Sequence, residues 1–249
     1  MIGLQIYTVR SLLTDYESSV KVLSQIKSFG YECIQLSGDI DYARTVAKAA
    51  KSVGLSINGY LASKELVLDS YDELTEILNE YGGYDVGVSG FEKTEVGARD
   101  FARAMNGVAK KLKKDGFSFS YHNHSLEFLR TKSKKLIWDV LFEEFDEELV
   151  CVMPDTYWLW HGGMDASDVI KKFENRISIL HLKDMKRTED GIAFAELGEG
   201  NLDIKKILLS AKEAKIKDYV IEQDSSDISP LDAAKIGICN LKRILSELN

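Results

Sequence analysis

The chain has four histidines, and all of them fall between positions 122 and 181. His122 and His124 belong to Ser-Tyr-His-Asn-His (120–124), His161 follows Asp-Thr-Tyr-Trp (155–158), and His181 opens His-Leu-Lys-Asp (181–184). Carboxylates stand beside them at Asp155, at Asp184 and in Glu222-Gln223-Asp224. Imidazole and carboxylate together form an N/O donor set suited to a divalent ion, with manganese taken first and magnesium, cobalt, iron(II) or zinc as alternatives. Asp155, His181 and Glu222 are the candidate ligands and His122 the candidate fourth, a place that His124 or Glu127 could take instead. Each has a plainer reading. Asp155 or Glu222 could cap a following helix, and a lone strand-end histidine is more often hydrogen-bonded than ligating. Their joint occurrence at successive strand ends favours the metal.

A metal bridging a carbonyl and a neighbouring hydroxyl stabilises an enediolate while a base removes the proton beside the carbonyl. Isomerisation, epimerisation and β-elimination all begin this way. Glu222 is the first candidate base, with His124 or Glu127 as alternatives, since a base must reach the C–H from one face. Lys183 could donate to the developing oxyanion, or form a salt bridge to Asp184 or a nearby carboxylate. Trp158 and Trp160, beside Tyr157, offer flat faces for the C–H side of a sugar, although such residues are often core. Together with Tyr7 and His161 they are the candidate substrate contacts. Backbone N–H groups in Gly198-Glu199-Gly200-Asn201 could meet a phosphate, but Glu199 would repel it, which favours an unphosphorylated substrate.

These residues need a scaffold that brings strand ends together. Apolar or alternating runs occur at 4–8, 32–36, 55–60, 84–89, 117–122, 149–153, 177–182 and 219–222, and amphipathic helical stretches separate them. Thr14-Asp15-Tyr16-Glu17 and Ser70-Tyr71-Asp72-Glu73 read as capping boxes. Gly30, Gly54 and Gly116 each stand between a helix and a strand, where a left-handed residue ends a helix. Eight strand–helix units in 249 residues leave about 31 residues each, the size of a unit in a (β/α)8 TIM barrel. An open doubly wound sheet would usually carry a Gly-rich phosphate loop after an early strand, and none is present. No linker interrupts the chain and only the connection from Lys186 to Asn201 is long, so residues 1–249 read as a single α/β domain. Active sites in such barrels sit at the C-terminal strand ends, where the histidines and carboxylates fall.

Tyr-His-Asn-His (121–124), Asp-Thr-Tyr-Trp (155–158), His-Leu-Lys-Asp (181–184), Glu-Leu-Gly-Glu-Gly-Asn (196–201) and Glu-Gln-Asp (222–224) make the chain resemble the xylose isomerase-like TIM barrels, a family of sugar phosphate isomerases and epimerases. Gln-Ile-Tyr-Thr-Val-Arg (5–10) looks like the family's first strand. The resemblance implies a divalent metal held by side chains from strands five to eight, at Asp155, His181 and Glu222. Many members have a metal-binding, proton-moving glutamate at the end of strand five, where this chain offers His122.

The formal net charge of −8 repels nucleic acid and anionic membranes, which suits a small sugar or polyol substrate and weighs against an abasic-site endonuclease. Cys33, Cys151 and Cys239 are odd in number and set among apolar residues, so they read as buried free thiols in a reducing cytoplasm. The first ten residues read as a strand, and no apolar run reaches the roughly 18 residues of a membrane span. The expectation is a cytoplasmic metal-dependent isomerase or epimerase, with a keto-sugar or inosose lyase, dehydratase or hydrolase close behind. A metal-free sugar-binding role and a homo-oligomer remain open.

Overall fold

Inward and outward side chains alternate along each short strand, so parallel pairing buries one set inside a closed sheet and the other under helices. The computed structural model describes residues 1–90 and 93–248. In chain order its elements are β1 (Ile2–Gln5), α1 (Tyr16–Phe29), β2 (Cys33–Leu36), α2 (Ile40–Ser52), β3 (Ser56–Ala62), α3 (Lys64–Asp69), α4 (Tyr71–Tyr81), β4 (Asp85–Val88), α5 (Glu95–Lys114), β5 (Ser118–His122), α6 (Ile137–Glu144), β6 (Val150–Met153), α7 (Thr156–His161), α8 (Ala166–Lys172), β7 (Leu180–Leu182), β8 (Asp184–Thr188), β9 (Gly191–Ala195), α9 (Ile204–Glu213), β10 (Tyr219–Ile221) and α10 (Pro230–Glu247). Eight strands form one parallel sheet in the order β6-β5-β4-β3-β2-β1-β10-β7. The circle is completed between β6 and β7 by two isolated bridges, Val152 with Ile177 and Asp155 with His181. The chain is a (β/α)8 barrel.

Met153, Ile179 and Val220 fill the barrel interior, with Leu61 packed against them. The outward set is apolar too. Tyr121 packs among Phe101, Trp138, Phe142 and Phe145 under the helical layer. Helix α5 shows why such segments are helical: Ala98, Phe101, Ala102, Met105, Val108, Ala109 and Leu112 recur at helical spacing and are buried. Its start is fixed by the Thr94 hydroxyl, which accepts from the Gly97 amide at 3.1 Å.

Several boundaries differ from the sequence reading. The first strand stops at Gln5, and Ile6–Leu12 is a 3-10 helix, because the Gln5 side chain accepts from the Tyr7 amide and starts the turn. The box expected at Thr14 is one residue further on: Asp15 accepts from the Ser18 amide while the Ser18 hydroxyl accepts from the Asp15 amide. Ser70 precedes α4 without any side-chain cap bond. The segment expected as a connection from Lys186 to Asn201 lies largely in the hairpin β8–β9, which starts at Asp184 and is paired antiparallel from Asp184–Ala195 to Thr188–Gly191. The two-residue turn is Glu189-Asp190, and Gly191, the first residue of β9, takes a positive φ of 132°. Cys33 is buried, but Cys151 is only partly buried and Cys239 is exposed; all three are free thiols. Among the described residues no helix is long and apolar enough to cross a membrane.

Candidate metal centre

Inward-facing positions at the C-terminal ends of β5, β6, β7 and β10 carry His122, Asp155, His181 and Glu222. One donor atom from each of these four buried residues lies within 4.8 Å of the others. Asp155 satisfies both readings of its position. Its Oδ1 caps α7 by accepting from the Trp158 amide at 2.9 Å, while its Oδ2 turns inward, 3.5 Å from His122 Nε2. His122 Nδ1 and His122 Nε2 are buried without a hydrogen-bond partner, and Asp155 Oδ2 is buried beside them with ion-pair contacts alone. Orphaned donors converging at this spacing are what a metal ion satisfies, and the His/Asp/His/Glu set fits a divalent ion.

Lys183 is 2% exposed, and its ammonium Nζ stands 3.2 Å from Asp155 Oδ2, 3.2 Å from Glu222 Oε2 and 2.9 Å from Asp224 Oδ1. Burial works against its charge, but the three carboxylates outweigh burial and hold the ammonium well above its ordinary range. The same attraction acts in reverse on its partners. Burial opposes ionisation of Glu222 and Asp155, yet the Lys183 ammonium brings both below the usual carboxylate range, Glu222 the further. Asp224 is pushed up by burial. Three carboxylates and one ammonium leave two negative charges, which a divalent cation cancels.

Asp184, the alternative partner for Lys183, points elsewhere. Its carboxylate accepts from the amides of Gly198, Gly200 and Leu202 at 3.0–3.1 Å. The glycine-rich amides that could have met a phosphate are therefore occupied by this side chain. At Gly200 an added Cβ would run into the Met185 carbonyl and the Asp184 carboxylate, so only glycine permits the approach.

A cavity of about 380 Å³ opens above the cluster, lined by Tyr7, His122, His124, Trp158, Lys183 and Glu222 among others. His124 stands beyond the cluster, its ring 5.1 Å from that of His122 and 5.3 Å from Trp158. Burial, reinforced by His122, pushes His124 down to about 4, so the ring is neutral. Trp158 Nε1 is a buried donor without a partner. Tyr7 is half-exposed at the rim under the Arg10 guanidinium, 3.6 Å from its ring centre.

Glu127 is buried and is not among the residues lining the cavity, and its Oε2 is buried without a partner. Its Oε1 accepts from the Tyr121 hydroxyl at 2.8 Å and from the His124 amide at 3.0 Å, on the outward side of β5. Trp160 lines a separate hollow of about 170 Å³ with Met164, Leu202 and Ile207. His161 is exposed and lies against Tyr157, 5.8 Å between ring centres. Phe194 of the unexpected hairpin stacks on Tyr157 at 4.3 Å and stands 5.8 Å from the Lys183 ammonium. Its motif did not mark it, because only the hairpin fold brings it there.

Fold and strand-end cluster together define a TIM barrel with a metal-type donor set. A family model described as xylose isomerase-like TIM barrel matches residues 23–243, and the chain belongs to that family. It is 27% identical over 154 residues to the inosose dehydratase of Clostridium perfringens strain ATCC 13124, a match covering 55% of this chain and 51% of that protein. The chain thus spans about half the length of the curated relatives it matches. The barrel also resembles a solved sugar phosphate isomerase/epimerase from Parabacteroides distasonis, with a TM-score of 0.80, 21% identity, and coverage of 97% of this chain and 93% of that one. A xylose isomerase-like TIM barrel protein from Mycobacterium smegmatis, solved in complex with magnesium, gives a TM-score of 0.74 at 14% identity, covering 99% of this chain and 96% of that one.

Proposed function

We propose that this chain is a divalent-metal enzyme that removes the proton beside a carbonyl of an unphosphorylated sugar or polyol, and that it completes the reaction by eliminating water. The observation that carries this reading is the convergence of His122, Asp155, His181 and Glu222 at one barrel mouth with a buried ammonium among their carboxylates. His122, Asp155, His181 and Glu222 would hold the metal, with manganese or magnesium as the first ions to test. When bound, a divalent ion supplies Lewis-acid polarisation of the carbonyl and acidifies the adjoining C–H.

The chain's own residues supply the rest. Glu222 faces the cavity, with its Oε2 beside the Lys183 ammonium at 3.2 Å, and is the first choice of base. Lys183 stays protonated and offers an N–H to oxygen that gains negative charge. His124 and the Trp158 indole N–H are placed to orient hydroxyls, and the Trp158 and Tyr7 faces to receive C–H surface.

Elimination is favoured over epimerisation by where the carboxylates lie. Epimerisation needs a proton taken from one face and returned to the other, so it needs two proton carriers on opposite sides. The cavity-side carboxylates Asp155, Glu222 and Asp224 come from the ends of β6 and β10, whereas β5 supplies a histidine and is followed by another, and Glu127 is held through Oε1 by the Tyr121 hydroxyl and the His124 amide. In elimination the C–H electrons form the new C=C bond and hydroxide leaves the next carbon, taking a proton to become water. The curated relatives named inosose dehydratase support this order. Isomerisation is the second reading, with His124 as the opposite proton carrier.

The test is metal-reconstituted enzyme incubated with an inosose and with a panel of keto-sugars in deuterated water. Loss of one water by mass spectrometry, abolished by His181→Ala together with bound metal, is the expected result. An isomer with one deuterium and no lost water would move the assignment to isomerase. Turnover that survives removal of all metal would end the proposal.

A further inference from the structure

Gln5 and Gln35 are fully buried polar residues at the ends of β1 and β2 that none of the chemistry above uses. They form a directional chain. The Tyr7 amide, which can only donate, gives its hydrogen to Gln5 Oε1 at 3.2 Å. That fixes the Gln5 amide with Nε2 outward, donating to Gln35 Oε1 at 2.6 Å. Gln35 Nε2 is turned the other way, toward Met153 Sδ at 3.5 Å. The same Gln35 Oε1 lies 2.8 Å from His181 Nε2. An amide oxygen only accepts, so His181 Nε2 must carry the hydrogen.

The consequence falls on the other ring nitrogen. A neutral His181 with hydrogen on Nε2 presents a lone pair at Nδ1, the atom that faces Glu222 Oε2 at 2.9 Å inside the cluster. A lone pair against a carboxylate oxygen is repulsive, and a cation between them turns both atoms into ligands. We infer that the Tyr7 amide, Gln5 and Gln35 form a positioning relay that selects the His181 tautomer able to ligate through Nδ1. The N-terminal half of the barrel thereby tunes a site whose donors all come from the C-terminal half. The inference rests on the metal reading proposed above.

The experiment is calorimetric titration of the metal-free full chain with manganese, for wild type, Gln35→Met and Gln35→Glu, with thermal unfolding of each to confirm folding. Methionine keeps the volume and removes the acceptor; glutamate keeps an acceptor for both Gln5 and His181. Gln35→Met should weaken manganese binding about 10–100-fold, the range seen when the partner of a ligating histidine is lost. Gln35→Glu should stay within about threefold of wild type or bind more tightly, since its acceptor persists and its charge attracts the ion. Should Gln35→Met fail to fold, Gln5→Met, which removes the donor that turns Gln35, is read on the same scale and should weaken binding in the same direction. Wild-type binding with equal affinity in the methionine variant overturns the relay alone. Equal weakening in the methionine and glutamate variants also overturns it, because the loss then belongs to any change at that position. Absence of manganese binding by wild type would instead sink the metal reading, and the relay with it.

Discussion

Replacing Lys183 by Met removes the one ammonium that stands among Asp155, Glu222 and Asp224 at 2.9–3.2 Å. At an effective dielectric near 20, each such contact represents about 5 kcal/mol of attraction. Burying the ammonium takes back several kcal/mol, so the net cost of deleting one member of a buried ion cluster is about 3–5 kcal/mol. For a chain of this size that is a fall in Tm of roughly 6–20 °C. The sign with pH follows from the shifts. Asp155 and Glu222 have lowered folded values, so their contribution is present above the unfolded carboxylate range and lost as pH falls through the folded values. Lys183 has a raised folded value, so its contribution is full at neutral pH and lost only at strongly alkaline pH. The gap between wild type and Lys183→Met should therefore be full at pH 7 and shrink in acid below about pH 4. Thermal unfolding of the metal-free proteins across that range measures it, and added manganese should recover more Tm in the variant, because the dication supplies the missing positive charge. A variant within about 2 °C of wild type at pH 7 would refute the reasoning, since it would mean the three carboxylates do not need the ammonium.

Asp85, buried under the site and hydrogen-bonded by Ser118 and Ser120, is pushed by burial up to about 6. A raised acid binds its proton more tightly folded than unfolded, so it costs stability as pH rises from about 4 to 6, by about 3 kcal/mol in all. Urea unfolding of Asp85→Asn at pH 4 and pH 7 should show that slope flattened relative to wild type; an unchanged slope would contradict the assignment. At the site, Glu222→Gln should lower turnover by about 10²–10⁴-fold as base and ligand are lost. Glu127→Gln keeps an acceptor for Tyr121 and His124, so it should leave turnover nearly intact and cost about 1 kcal/mol of stability. Steady-state rates that rank the two variants the other way would place the base in the turn after β5.

The four-residue cluster was legible because barrel geometry converts sequence into position. Once eight strands are recognised, the residue that ends each strand points to the mouth, and His122, Asp155, His181 and Glu222 are chemically conspicuous there. Direction within loops was less legible. Glu127 lies in a short 3-10 turn after β5, and nothing in its neighbours distinguishes a carboxylate facing the cavity from one tied to the Tyr121 hydroxyl. Lys183 and Asp184 are adjacent, so a local pair was a natural reading; the step from β7 into β8 falls between them, and each finds partners far along the chain. Gln5 and Gln35 carry no signature, because an amide gains its role only from the hydrogen-bond direction imposed by what it touches.

The seam between β6 and β7 explains why these ligands stand so close together. Elsewhere in the barrel several consecutive residue pairs join neighbouring strands, but here only the Val152–Ile177 and Asp155–His181 bridges do. Side chains replace the missing ladder. The Thr156 hydroxyl donates to the Lys183 carbonyl at 2.6 Å and accepts from the Lys183 amide at 2.9 Å, while on the other side of β6 Asn123 Oδ1 accepts from the Asp155 amide at 3.0 Å. The Arg176 guanidinium donates to the Val150 carbonyl lower down, at 2.9 Å. A regular ladder fixes strand ends by backbone alone and leaves side chains to fill space. At this seam the backbone is held by side chains whose neighbours are Asp155, His181 and Lys183, so the position of each reacting group is set from both strands at once. The irregular join is thus part of how the barrel concentrates charge, since two of the four metal-type donors face each other across it.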